Sequence, residues 1–309
     1  MDMSETTPSL ASTQLFDRLR ERLASTLEWL ADKPEETATT TARALWWKAA
    51  GMPRSAELAV HDPLPDLDAG QLRALDALVA RRLTGEPLPY ITGRQRFMNL
   101  EMYSAPGALI PRKETELLGQ MTLALVHQAA AHPGGAIVVD VCTGSGNLAI
   151  GYAAHEPRAR VFAADLSEEA IAVARVNAQV VGVADAIDFR TGDLVAPFGS
   201  ILDGQVDVLS CNPPYISTAK VAAMPPEISG HEPKVAFDGG PFGIRVLSRL
   251  THDALRLLKP GGWLTFEVGL GQGPAMRKRL ETVGGYGQIR WMADSEGQIR
   301  ALAAQAGSG

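Results

Sequence analysis

Apolar residues recur three or four apart along the first quarter of the chain: Leu15, Leu19, Leu23, Leu27 and Leu30, then Ala42, Leu45, Trp46 and Ala49. That is the period of one helix face, and no strand alternation interrupts it between residues 12 and 85. A third helix is predicted over Gln71–Leu83, capped by Asp68, led by the Pro63-Leu64-Pro65 turn and followed by Gly85. Residues 1–85 are therefore expected to form a small helical domain. The pattern changes after Gly85-Glu86-Pro87. Tyr90–Gly93 reads as a turn, Arg96–Tyr103 as a short hairpin, and Pro111 opens a helix over about Glu114–His127. Residues 86–112 thus form a linker to a second domain, 113–309.

From Ala136 onward short apolar runs alternate with amphipathic ones. The predicted strands are Ile137–Val141, Arg160–Ala164, Ile187–Arg190, Val206–Cys211 and Trp263–Val268; Ser167–Val181 and Gly243–Leu258 are the clearest helices between them. Such alternation builds an α/β, doubly wound, largely parallel sheet. There is no internal repeat, and the last few residues read as a flexible tail.

Composition narrows the classes. With 309 residues, 46% of them hydrophobic, the chain can bury one large core and one small one. It has no apolar run of about 18 residues. Its start, Met1-Asp2-Met3-Ser4-Glu5-Thr6-Thr7, lacks the basic and apolar stretches of a secretory signal, so a cytoplasmic protein without a membrane segment is expected. A net charge of −6 favours a protein or small-molecule partner over the phosphate-neutralising surface of a nucleic-acid binder. Cys142 and Cys211 are too few for a disulfide framework and read as buried thiols. The six histidines have no metal-ligand spacing; His231, beside Glu232-Pro233, is the most suggestive, and none is assigned. Trp46 and Trp47 read as packing residues, with one of them available to a partner.

Candidate chemistry begins where the first strand ends, in Asp140-Val141-Cys142-Thr143-Gly144-Ser145-Gly146-Asn147. Glycines in a strand-to-helix turn let backbone approach a ligand, and the helix beyond offers unpaired amides. The second strand ends at Asp165, placed to accept from ribose hydroxyls, or else to cap the helix that follows. The third leads into Gly192-Asp193-Leu194, where Asp193 suits an adenine amino group and Leu194 its ring. A dinucleotide oxidoreductase competes, because Gly144-x-Gly146-x-x-Ala149 nearly meets its fingerprint.

The fourth strand separates the two readings. It ends in Asn212-Pro213-Pro214-Tyr215, where two prolines stiffen the turn before any substrate arrives. A planar nitrogen is a weak nucleophile carrying two N–H donors, which the Asn212 side-chain oxygen and the Pro213 carbonyl suit as acceptors. Holding it there aims its reactive face at a methyl donor and sets oxygen dipoles near the developing positive charge. Tyr215 suits the flat face of such a group. Direct methyl transfer needs no strong general base, and none is assigned.

Together these residues resemble class I amino-methyltransferases. The wider chain is similar to the HemK/PrmC release-factor glutamine methyltransferases, through Gly85–Gly93, Phe97, Leu109–Glu116, Glu232-Pro233, Gly239-Gly240, Gly243, Pro260-Gly261-Gly262, Glu267-Val268-Gly269 and Gln272. The resemblance implies a seven-stranded sheet, S-adenosyl-L-methionine held by residues 142–146, Asp165, Asp193, Leu194 and Asn212, and a peptide chain release factor as acceptor. Its glutamine would be held by the Asn212–Tyr215 clamp, with Asn212 and Pro213 orienting the amide and the helical domain helping to hold the protein. Arg112 and Glu116 then stand near the site, or form an exposed ion pair at the helix start. Cys142 replaces a glycine usual in the family, and Lys113 a usual proline. The Cys-Thr-Gly-Ser-Gly form is closer to a branch acting on a large-subunit ribosomal protein, so that acceptor, or a biosynthetic small molecule, is the alternative.

Overall fold

The computed structural model describes residues 10–307, so the Met1–Thr7 start lies outside them. Helices α1 (Leu10–Thr26), α2 (Ala38–Ala49) and α3 (Ala69–Leu83) form the N-terminal unit, α1 stopping short of Leu30. Leu19, Leu23, Leu45, Trp46, Leu75 and Val79 make its core, joined by Leu88 and Ile91 of the short helix α4 (Leu88–Thr92). Asp68 is the expected cap of α3, and Thr37 caps α2 by the same reciprocal side-chain and backbone bonds. Trp46 and Trp47 are both buried, Trp46 donating to the Pro65 carbonyl at 2.7 Å, so neither is presented to a partner.

Strands β1 (Arg94–Phe97) and β2 (Leu100–Tyr103) pair through Met98 and Asn99, both at positive φ (46° and 65°). That backbone matches the twist of a two-residue hairpin. The hairpin tip is fixed to the second domain. The Met98 amide donates to Glu116 at 2.9 Å, and the Met98 sulfur fills space that a Cβ on Gly119 or Gly151 would need.

Helix α5 (Thr115–Ala130) leads to one seven-stranded sheet. Its strands are β3 (Ala136–Val141), β4 (Ala159–Asp165), β5 (Ile187–Thr191), β6 (Val206–Cys211), β7 (Leu258–Glu267), β8 (Tyr286–Ala293) and β9 (Ile299–Ala306), in the order β5-β4-β3-β6-β7-β9-β8. The first five in that order run parallel, and β9 is antiparallel to both its neighbours. Strand residues alternate between two cores. Val138 and Val161 pack with α5, α6 (Asn147–His155) and α7 (Glu168–Val181). Val139, Val141 and Leu209 pack beneath the other face's helices. Two one-turn helices, α8 (Thr218–Val221) and α9 (Pro226–Ser229), follow β6; α10 (Arg245–Leu257) and α11 (Gly273–Val283) cover that second core. Among the described residues no helix is long and apolar enough to cross a membrane.

One strand boundary needs correction. β7 begins at Leu258 rather than Trp263: Val206 pairs with Leu258 and Val208 with Trp263, so Pro260-Gly261-Gly262 bulges out of the ladder. Ala301, Leu302, Ala303 and Ala304 are fully buried in β9, which ends at Ala306; residues 308–309 of the expected tail lie outside the described residues.

Candidate active site

β3 and β6 are neighbours, with Val141 opposite Cys211, and the chain crosses away from them toward opposite edges of the sheet. Loops leaving such a switch point splay apart and open a crevice at the carboxyl ends of the strands. A cavity of about 460 Å³ occupies it, within the usual size of a small-molecule site. Cys142, Thr143, Gly144, Ser145, Asp165, Asp193, Leu194, Asn212 and Pro214 all line it; Gly146 and Pro213 are not among its lining residues.

The first loop is built from β3 outward. Asp140 is fully buried and accepts from the Thr143 hydroxyl at 2.6 Å and the Ser210 hydroxyl at 2.5 Å, tying the loop to β6. Burial lifts its pKa to about 7, against the pull of those hydroxyls. Cys142 holds φ 56°, a conformation that favours glycine. The side of Gly144 is open, with no atom within 4 Å of where a Cβ would stand. At Gly146 a Cβ would come within 2.9 Å of Ala174, so that glycine serves helix packing. Asn177 of α7 braces the loop, donating to the Ser145 carbonyl at 3.1 Å while pairing with both backbone polar groups of Tyr103.

Asp165 receives the Gly144 amide at 2.8 Å and the Ser167 amide at 2.9 Å, and burial raises its pKa above the carboxylate norm. Ser167, not Asp165, caps α7. Asp193 stands at the exposed rim with Oδ2 taken by Arg249 at 2.9 Å, and Leu194 is buried at φ 49°.

The Asn212–Tyr215 turn divides this cavity from a second, wider groove of about 1320 Å³. Asn212 and Pro214 face the first; Tyr215 faces the second, where its ring packs on Gly269 and its hydroxyl donates to Glu267 at 2.8 Å. Asn212 Nδ2 donates to the Thr115 hydroxyl at 3.2 Å, which leaves Oδ1 as the free acceptor of the amide. Glu267 is buried and pushed up to about 7, chiefly by burial.

A strap over residues 232–243 backs the turn. Ile216 donates to the Phe237 carbonyl at 2.9 Å, Gly239 donates back to Ile216 at 2.8 Å, and Gln272 Nε2 donates to the Tyr215 carbonyl at 2.9 Å. The strap is anchored by Arg112, which meets Glu232 at 2.5 Å; Glu232 also accepts the Ile110 amide at 3.0 Å. Arg112 is buried, so the expected exposed pair with Glu116 does not form. Glu116 pairs instead with Lys113, whose Nζ also reaches Glu57 of the helical unit at 2.8 Å. His231 is exposed and lines neither cavity. Among the described residues no cluster could hold a metal ion.

Thr115, Asn177, Glu267 and Gln272 hold the site without having stood out as its parts. Gln272 and Glu267 lay within quoted family segments, but nothing local tied them to Tyr215.

Residues 19–93 match the PrmC N-terminal domain, and residues 118–225 the Methyltransferase small domain. Release factor glutamine methyltransferase of Moorella thermoacetica is 35% identical over 93% of this chain and 98% of its own length. The chain belongs to the release factor glutamine methyltransferase family. The Geobacter sulfurreducens member is 37% identical over 82% of this chain and 85% of its own. Among solved structures, the hMettl16 catalytic domain in complex with a 3'UTR hairpin is similar with a TM-score of 0.51. At 18% identity, over 77% of this chain and 81% of that one, it shows likeness of fold alone. Membership makes the chain an S-adenosylmethionine-dependent N-methyltransferase.

Proposed function

We propose that the chain methylates the side-chain amide nitrogen of a glutamine in a peptide chain release factor, in the Gly-Gly-Gln loop that the family resemblance implies. The observation carrying this reading is the position of the Asn212–Tyr215 turn, which forms the wall between a nucleoside-sized cavity and a groove wide enough for a peptide loop. The cavity fits S-adenosylmethionine on three counts. Gly144 leaves its flank open, the Asp165 carboxylate is oriented by two backbone amides for ribose hydroxyls, and Leu194 offers an apolar surface to a base. The bound cofactor supplies an electrophilic methyl group.

The chain's own residues do the rest. Asn212 Oδ1 accepts one N–H of the acceptor amide and the Pro213 carbonyl the other, turning the nitrogen's face toward the cofactor side. The two oxygens would favour positive charge on that nitrogen as it bonds the methyl group in exchange for the methyl's bond to sulfur, and one N–H proton would then be lost to solvent to leave the neutral N-methyl amide. Tyr215, Pro214 and the strap cover the group and exclude water. The groove is lined on one side by Ala31, Asp32 and Pro34, so the helical unit, residues 1–85, and the linker, 86–112, are read as the surface that holds the release factor. A translation factor as acceptor places the reaction in the cytoplasm.

The test uses labelled S-adenosylmethionine with a purified release factor. Label is expected in the protein, and Asn212→Ala should lower kcat, measured at saturating cofactor, by about 10²–10³-fold, as loss of one oriented polar group does. Full turnover by Asn212→Ala, or no label despite cofactor binding, would contradict the reading.

A further inference from the structure

The Asn212 amide is useful only one way round. If Oδ1 faces the acceptor nitrogen it receives an N–H; if the amide turns over, Nδ2 opposes a donor with a donor. Asn212 lines a cavity and is only partly buried, so packing alone does not fix it. Its one side-chain bond runs to Thr115, on the first turn of α5. A hydroxyl accepting there still has a proton to place. Beside it is the buried Glu267 carboxyl, whose Oε1 already takes the Tyr215 hydroxyl at 2.8 Å. Oε2 of the same carboxyl is buried and has no hydrogen-bond partner. An orphaned carboxylate oxygen next to a hydroxyl with a free proton calls for an explanation.

We propose that Thr115 and Glu267 are positioning residues for methyl transfer: ionised Glu267 accepts a hydrogen bond from the Thr115 hydroxyl on Oε2, which obliges Thr115 to accept from Asn212 Nδ2 and points Oδ1 at the acceptor. This rests on reading Asn212 as the clamp of the acceptor amide. An ionised carboxylate can only accept, so the polarity of the whole relay runs one way. A protonated Glu267 can instead donate to Thr115, competing for the oxygen Asn212 uses, and the amide loses its preferred sense.

Burial sets the ionisation of Glu267 near pH 7. Glu114 pushes the same way, while Thr115, Tyr215 and Arg300 favour the charged form; Arg300 is shared with Glu114 at 3.9 Å. Transfer should therefore fall as pH drops through about 7, in kcat rather than in cofactor binding.

Steady-state kinetics on the full chain, with release factor as acceptor and cofactor affinity measured separately, tests this. Thr115→Val should lower kcat by about 10²-fold, the scale of a small misplacement at the reacting centre, with cofactor affinity retained, and Thr115→Ser should recover most of it. Glu267→Gln should lower kcat and abolish its acid limb near pH 7, a result that does not depend on how Thr115→Val folds. Wild-type kcat in Thr115→Val, or an unchanged acid limb in Glu267→Gln, would overturn the relay. If Asn212→Ala also keeps full turnover, the clamp itself fails; if Asn212→Ala is inactive while Thr115→Val is unaffected, only the relay does.

Discussion

Gly243 shows how closely single residues confine the acceptor turn. A Cβ there would lie 2.1 Å from the Tyr215 carbonyl oxygen, on a backbone at φ 70° that L residues rarely adopt. Gly243→Ala is expected to cost about 1–3 kcal/mol from backbone strain alone, and to displace the turn from its cavity. Urea unfolding with parallel turnover checks this; a wild-type midpoint and wild-type kcat together would contradict it. The residues of the clamp were legible because Asn212-Pro213-Pro214-Tyr215 has no ordinary turn role. Thr115 was not, because it meets Asn212 across 97 residues of chain, through a tertiary contact that no spacing encodes. Cys142 was legible as an exchange for glycine, but its φ of 56° belongs to the folded loop.

At the scale of elements, the Arg112 and Glu232 pair joins the linker to the strap behind the turn. Both side chains are buried, and Glu232 is further held by the Ile110 amide. Removing one member of a buried pair leaves an uncompensated charge, which costs about 3–5 kcal/mol. Arg112→Ala is therefore expected to lower the denaturation midpoint strongly, whereas Arg249→Ala, at an exposed pair with Asp193, should move it by less than about 1 kcal/mol. Comparable losses in the two variants would refute the distinction. The parallel strands were readable because β-branched runs such as Ile137-Val138-Val139 mark buried strands. β9 was missed because Ala301-Ala303-Ala304 lacks strand propensity, and only its slot between β7 and β8 makes it a strand.

Across the whole molecule, a buried charge cluster ties the helical unit to the segment after the clamp. Lys33 and Arg82 meet Glu227 of α9 at 2.7 and 2.9 Å, and Arg82 also meets Glu36 at 3.3 Å. Burial raises Glu36 from 4.5 to about 7, outweighing the attraction of Lys33 and Arg82. The folded state then binds a proton that the unfolded chain releases, so this group's contribution is full below pH 4.5 and is lost as pH rises through 7. Glu36→Gln should gain stability relative to the parent as pH rises across that window. A pH-independent difference in midpoint would contradict the assignment. The helical character of this unit was legible from its period; its attachment was not, since Glu227 lies 145 residues from Arg82.

The most direct test of the central claim is peptide mass spectrometry of a release factor after reaction with the enzyme and S-adenosylmethionine. One methyl group is predicted on the side-chain amide of the Gly-Gly-Gln glutamine, absent when that glutamine is alanine and when the enzyme carries Asn212→Ala. An unmodified glutamine with an active, cofactor-bound enzyme, or a methyl on another residue, would contradict the account.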